Sequence, residues 1–113
     1  MTAVHSSNLE DTVQYITIVR GRLNTDDQAA AQQAHDSIVD AVRPRSEPLG
    51  AVGHQAYVDP RDPRAFVAID RWSSLDGLQS FIGDPDVQAR LGSMFDGPPD
   101  VSVLAERDGW RAF

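Results

Sequence analysis

Gly50-Ala-Val-Gly-His-Gln-Ala-Tyr-Val58, followed by Asp59-Pro-Arg-Asp-Pro-Arg64 and then Ala65-Phe-Val-Ala-Ile-Asp-Arg-Trp72, is the stretch that decides the fold. Two runs rich in β-branched and aromatic residues flank six residues holding two Asp-Pro pairs, which predicts an antiparallel hairpin with a sharply bounded six-residue turn. Pairing Val58 with Ala65 sets Tyr57, Phe66, Gln55, Ala68, Gly53, Asp70 and Trp72 on one face. It sets Val58, Ala65, Ala56, Val67, His54, Ile69, Val52 and Arg71 on the other. The first face mixes aromatic walls with a carboxylate and an amide, the composition of a small-molecule pocket. The second is mostly aliphatic, and a slip of one residue exchanges the two.

A hairpin alone does not stand in water, so the flanking sequence must cover it. Upstream, Val13-Gln-Tyr-Ile-Thr-Ile-Val-Arg-Gly-Arg-Leu23 predicts a strand within Thr12 to Leu23, apolar at both parities and therefore central. Thr25 is the expected cap of a following helix, with Gln28 as its reciprocal partner and Asp26 and Asp27 at the positive end of the dipole. Ala31, Ala34, Ile38, Val39 and Val42 form its apolar stripe, His35 lies at the flank of that stripe, and Pro44 is expected to end it. Downstream of Trp72, a serine and Asp76 start a second helix whose inner face is Leu75, Leu78, Phe81 and Ile82. Gly83-Asp-Pro85 interrupts it, and Asp84 caps a resumed helix carrying Val87, Leu91, Met94 and Phe95. Asp100 to Arg107 reads as a last strand.

The order strand, helix, strand, strand, helix, strand defines an α+β, ferredoxin-like βαββαβ domain: a four-stranded antiparallel sheet with both helices on one face. Residues 1–11 read as a loose arm, 12–108 as the folded domain and 109–113 as a tail. The other sheet face would be left bare, and a second copy laid sheet against sheet is the simplest cover, with Trp110 and Phe113 placed to lap onto the partner.

Composition narrows the function classes. Seventeen acidic residues against ten basic give a net charge of −7, which disfavours nucleic acid. Every basic residue is arginine, so lysine Schiff-base chemistry and a phosphate-loop lysine are excluded. There is no cysteine, hence no disulfide or thiolate metal site, and a cytoplasmic location is the expectation. No apolar run is long enough to span a membrane, and three scattered histidines lack metal-ligand spacing. Neither a serine nucleophile elbow nor a phosphate-binding glycine loop is present.

Gly50, His54, Tyr57-Val-Asp-Pro-Arg-Asp-Pro-Arg-Ala-Phe66, Asp70-Arg-Trp72-Ser-Ser-Leu75, Phe81 and Asp84-Pro-Asp-Val87 together resemble the antibiotic biosynthesis monooxygenase family of dimeric α+β barrels. The likeness spans roughly residues 13 to 107; its mark is a strand ending in acid, spacer and tryptophan, then a capped helix. The resemblance implies a cleft between the sheet and its own helices. Some members there oxidise polycyclic aromatic substrates with molecular oxygen and neither metal nor flavin, the tryptophan matching Trp72 lining the site. Others degrade heme, oxidise quinols or have no known chemistry. The sequence departs from the oxygenase pattern at Leu78, where some have a tyrosine, and at Ala68, where they have an asparagine. It has no histidine after His54 to serve as a heme ligand.

Among the residues, Asp70 is the expected acid–base group, its carboxyl desolvated by aromatic neighbours; a salt bridge with Arg20 or Arg90 is the alternative. Trp72 either stacks a planar substrate or plugs the core, and His54 is either catalytic or a core or interface histidine. Tyr15, His35, Tyr57, Phe66, Phe81, Arg90 and Phe95 complete the expected binding residues. The reading favours a homodimeric oxygenase without cofactor or metal, acting on an aromatic, polyketide-like or quinol molecule. A cyclase or isomerase on the same fold is one alternative, and a non-catalytic dimeric binding protein the other.

Overall fold

The computed structural model describes residues 14–113; the expected N-terminal arm and the first residues of the expected strand lie outside them. Strand β1 is Tyr15–Arg22, helix α1 Gln28–Ser46, β2 Ala51–Asp59 and β3 Asp62–Trp72. Helix α2 is Leu75–Ile82, α3 Pro85–Gly92 and β4 Asp100–Ala105, and a single 3-10 turn, Glu47–Leu49, follows α1. The strands form one antiparallel sheet in the order β2-β3-β1-β4, the expected βαββαβ arrangement with its second helix broken in two. Asp84 caps α3 by accepting from the Asp86 amide, and Pro85 opens that helix.

Three local expectations are corrected. Asp27 caps α1, accepting from the Ala29 and Ala30 amides; Thr25 instead accepts from the Asp27 amide, and the Gln28 amide group reaches Pro63. Pro44 does not end α1, which runs on to Ser46. Pro44 sits on the exposed side of the helix, where the carbonyl it leaves unbonded faces solvent. The true stop is Gly50, whose φ of 107° suits glycine. The inner stripe of α1 also differs: Ala34 is exposed, while Ala31, His35, Ile38, Val42 and Ser46 turn inward.

The hairpin register is the fourth and most consequential correction. Val58 pairs with Phe66, Ala56 with Ala68 and His54 with Asp70, one residue away from the Val58–Ala65 expectation. The connection is the two residues Pro60 and Arg61, not six, because each Asp-Pro pair organises itself locally. Asp59 accepts from the Arg61 amide at 2.8 Å and Asp62 from the Arg64 amide at 3.1 Å, so both strands continue up to the turn. A bulge at Val52 then restores the pairing of Ala51 with Trp72. His54 therefore moves onto the face of Asp70, and Tyr57 and Gln55 move off it.

The helices cover the sheet face of Thr17, Val19, Phe66, Ala68, Asp70 and Trp72. Buried apolar residues fall into two clusters, one around Leu23, Phe66 and Phe95 and the other around Trp72, Leu78 and Val87, with Ile38 touching both. At the second cluster the first turn of α2 lies directly on Leu49. A Cβ added at Gly77 would sit 1.7 Å from the Leu49 carbonyl oxygen, so only glycine fits. Gly77→Ala is expected to destabilise the domain by about 2 kcal/mol net of its gain in helix propensity, overpacking outweighing it. Thermal denaturation should show this as a Tm lowered by roughly 10 °C.

Candidate functional site

The two core clusters are separate because the space between them is hollow. A cavity of about 350 Å³ lies between α1 and the sheet, within the size range of small-molecule sites. Its walls are mostly apolar: Val19, Phe66, Ala68, Trp72, Phe81 and Phe95 from below and behind, and Ile38, Val39 and Val42 from α1 above. Phe66 meets Phe95 edge-on at 5.4 Å and Trp72 meets Phe81 at 5.3 Å, so the two aromatic pairs fix opposite ends.

One side of the cavity is polar. Asp70 lies on β3 between Thr17 of β1 and His54 of β2, its cross-strand partners on either side. Its Oδ2 accepts from the Thr17 hydroxyl at 3.1 Å, and its Oδ1 meets His54 Nδ1. The hydrogen bond that His54 donates to Asp70, with the attraction of the carboxylate charge, raises the His54 pKa above the ordinary value against the lowering effect of burial. His54 Nε2 in turn meets His35 Nε2 across the cavity edge at 2.8 Å, and His35 Nδ1 meets Asp36 Oδ1 at 2.9 Å. The alternative of a salt bridge from Asp70 to Arg20 or Arg90 is not realised; its partners are His54 and Thr17.

The meeting of the two imidazoles has a definite geometry. Their centroids are 5.0 Å apart and their planes only 19° from parallel. A 2.8 Å contact between ring tips gives that centroid separation only when the rings meet tip to tip, nearly coplanar, rather than face to face. A metal ion between two such nitrogens would need them about 3.3 Å apart or more, so the spacing seats a proton. No group of three or more metal-ligating side chains converges among the described residues.

Of the expected site residues, Asp70, Trp72, His54, His35, Phe66, Phe81 and Phe95 all line the cavity. Trp72 is 2 % exposed and both packs in the core and forms a wall; its indole N–H is buried without a partner among the described residues. Three expectations are corrected. Tyr57 is half exposed on the opposite sheet face, as the true register requires. Tyr15 packs against the second core cluster without lining the cavity. Arg90 is a surface residue of α3 bonded one turn back to Asp86 at 3.0 Å. Sequence reading missed Thr17 and Asp36, which complete the polar chain, and Arg43, which lines the cavity and pairs with Glu47 at 3.1 Å. Thr17 was legible in principle, since it shares a parity with Val19 on the strand called central.

A raised His54 pKa has a signed consequence. Protonated His54 is favoured in the folded state, so its contribution to stability is complete below about pH 6.5 and is lost as pH rises through the higher folded value. Asp70→Asn is expected to bring the His54 midpoint, followed by NMR of the ring protons, back down. The same change should flatten that part of the stability–pH curve.

A four-stranded antiparallel sheet carrying its helices on one face is a fold shared with solved structures described as antibiotic biosynthesis monooxygenases. One similar structure, Rv0793 from Mycobacterium tuberculosis, is 23% identical, with a TM-score of 0.59 over 84% of this chain and 96% of that one. SnoaB, described as a cofactor-independent oxygenase from Streptomyces nogalater, is 12% identical, with a TM-score of 0.59 over 87% and 95% of the two chains. A structure described as an antibiotic biosynthesis monooxygenase is 14% identical, with a TM-score of 0.58 over 82% and 96%. A scan of protein-family models gives no match, and neither does a comparison with curated proteins. No helix among the described residues is long and apolar enough to cross a membrane.

Proposed function

We propose that this protein is a cofactor-independent oxygenase for a small, flat phenol, quinol or enolisable ketone. The observation that carries the reading is a cavity of about 350 Å³, walled by aromatic and aliphatic side chains, with one hydrogen-bonded carboxylate–imidazole pair at its edge. In this reading Asp70 takes the acidic proton of the guest, and the resulting electron-rich anion passes one electron to molecular oxygen. The superoxide and substrate radical then combine at carbon, and the peroxide anion takes back the proton held on Asp70. The hydroperoxide so formed loses water and leaves a carbonyl, so one oxygen atom enters the product and the other leaves as water. The protein supplies a base and a dry slot.

The bare sheet face supports a homodimer as part of the same reading. Ile16, Ile18, Val67, Ile69, Tyr57 and Leu104 all lie on the face away from the helices, and Tyr57 and Leu104 are about half exposed. A twofold partner pressed on this face would cover it and leave the cleft between sheet and helices free.

Anthrone, a three-ring ketone with a phenolic enol, is a suitable probe. Oxygen uptake with conversion to the quinone, and one labelled atom in the product from isotopic oxygen, is the expected result. An unchanged background rate in the presence of protein removes the oxygenase reading. Proton exchange into the probe without oxygen uptake would point instead to an isomerase using the same base.

A further inference from the structure

We propose that His54, held by His35, carries the fixed positive charge that balances the substrate anion and the superoxide formed in the cleft. Three contacts join four groups in line: Asp70 with His54 Nδ1, His54 Nε2 with His35 Nε2, and His35 Nδ1 with Asp36. Carboxylates only accept, so each outer ring nitrogen holds a proton toward its aspartate, and the tip-to-tip contact at 2.8 Å needs one more. Three ring protons on two imidazoles are one more than the neutral rings carry, so the pair is a monocation. Of the two rings, His54 is the one beside Asp70, whose carboxylate favours the charged form, which puts the third proton on His54 Nε2. Both rings line the cavity, whereas Asp36 lies outside its wall and is 60% exposed. Inside the cleft, the carboxylate that meets this charge is Asp70.

The inference deepens the oxygenase reading and rests on it. In the resting site the imidazolium is paired with ionised Asp70. When Asp70 takes the substrate proton, its carboxyl becomes neutral and the guest becomes an anion, while His54 keeps both of its ring protons. One positive and one negative charge remain; the negative one has moved from β3 onto the guest. Transfer of one electron to oxygen moves it again, leaving a neutral substrate radical beside superoxide. Their coupling gives the peroxide anion, which takes the proton back from Asp70 and restores the first ion pair. No proton enters or leaves the imidazoles at any step. A charge fixed in a mostly apolar cleft stabilises such anions far more than the same charge in water. The other groups around the pair do not supply it. From β1 the neutral Thr17 hydroxyl donates to Asp70, and on α1 Arg43, the other cation lining the cavity, is paired with Glu47 at 3.1 Å. His35 is a positioning residue in this scheme: it holds the far nitrogen of the His54 ring.

Two measurements keep the charge and the oxidation apart. 4-Nitrophenol reports the charge by its absorbance without being oxidised. At one pH below the His54 midpoint, the ratio of phenolate to phenol in the bound probe is expected to be about tenfold higher in wild type than in His54→Gln. In wild type alone, that ratio should climb less steeply with pH than it does for free probe as the His54 charge is lost, a result that does not depend on how the variant folds. Equal ratios in the two proteins overturn the proposal, whatever the protein does to anthrone. So does a wild-type ratio that keeps the slope of free probe through the midpoint, and so does a cavity that takes up no nitrophenol. With anthrone saturating, kcat/KM for oxygen is expected to fall about tenfold in wild type as pH rises through the same midpoint, and to be low and level in His54→Gln. A wild-type value that stays level across the midpoint overturns the role in oxygen reduction. A wild-type protein inert toward anthrone removes the oxygenase reading and leaves the phenolate ratio to decide whether the charge faces the guest.

Discussion

Asp70→Asn is expected to lower turnover of anthrone by about 100-fold or more, the range set by loss of a positioned general base. An amide cannot take the substrate proton, yet it matches the carboxylate in shape and still accepts from the Thr17 hydroxyl. Above the His54 midpoint, where the pair contributes no stability, the fold should therefore persist with circular dichroism and Tm close to wild type, so the lost rate reads chemistry rather than unfolding. Because a base acts in the transition state, the loss should appear in kcat with KM little changed. Thr17→Val is the informative companion. It removes one hydrogen bond to Asp70 while leaving the His54 contact, and a much smaller loss is expected. If Asp70→Asn turned anthrone over at the wild-type rate, the base assignment would fall, and the cavity would be a binding site only.

The sequence made the architecture legible because its largest signals are redundant. Strand β1 is apolar at both parities, the break at Gly83-Asp-Pro85 is chemically unmistakable, and the helix-facing set of β3, from Phe66 to Trp72, follows from simple alternation. The site was half legible for the same reason: every β3 residue proposed for the pocket face is there. What alternation could not supply was the phase of β2 against β3. That phase was set next to the turn, where local Asx contacts and the register shift between Val58 and Asp59 are invisible to a period-two pattern. The consequence is large, because the shift brings His54 from an aliphatic face to within bonding distance of Asp70. Helix α1 has a similar lesson. Reading His35 as a flank residue followed the apolar positions alone, whereas its face is defined by what it covers, a half-polar cleft. Pro44 misled because a proline on the outer side of a helix leaves only a solvent-facing carbonyl without a partner.

Ile18→Arg is expected to convert a dimer into a monomer. Ile18 lies on β1, one of the two interior strands, directly opposite Ile69 and Ser102, at the centre of the sheet face the helices do not cover. In a twofold interface each change appears twice, so two guanidinium groups would be buried beside Ile69 at the centre of the face, away from any paired carboxylate on the sheet itself. Central interface positions of this kind commonly carry at least about 2 kcal/mol each, and the doubled effect weakens association by about a thousandfold. Light scattering coupled to size-exclusion chromatography should then give the mass of one 12.4 kDa chain where wild type gives twice that. Asp76→Arg, on the exposed surface of α2, changes charge by more and should leave the mass unchanged. The cavity lies on the other side of the sheet, so the monomer should keep the His35–His54 ring-proton signals, provided it stays folded. A wild-type protein that runs as a single chain, or an Ile18→Arg protein that still runs as two, would show that this face has some other cover. The cleft chemistry would then stand or fall on the Asp70 result alone.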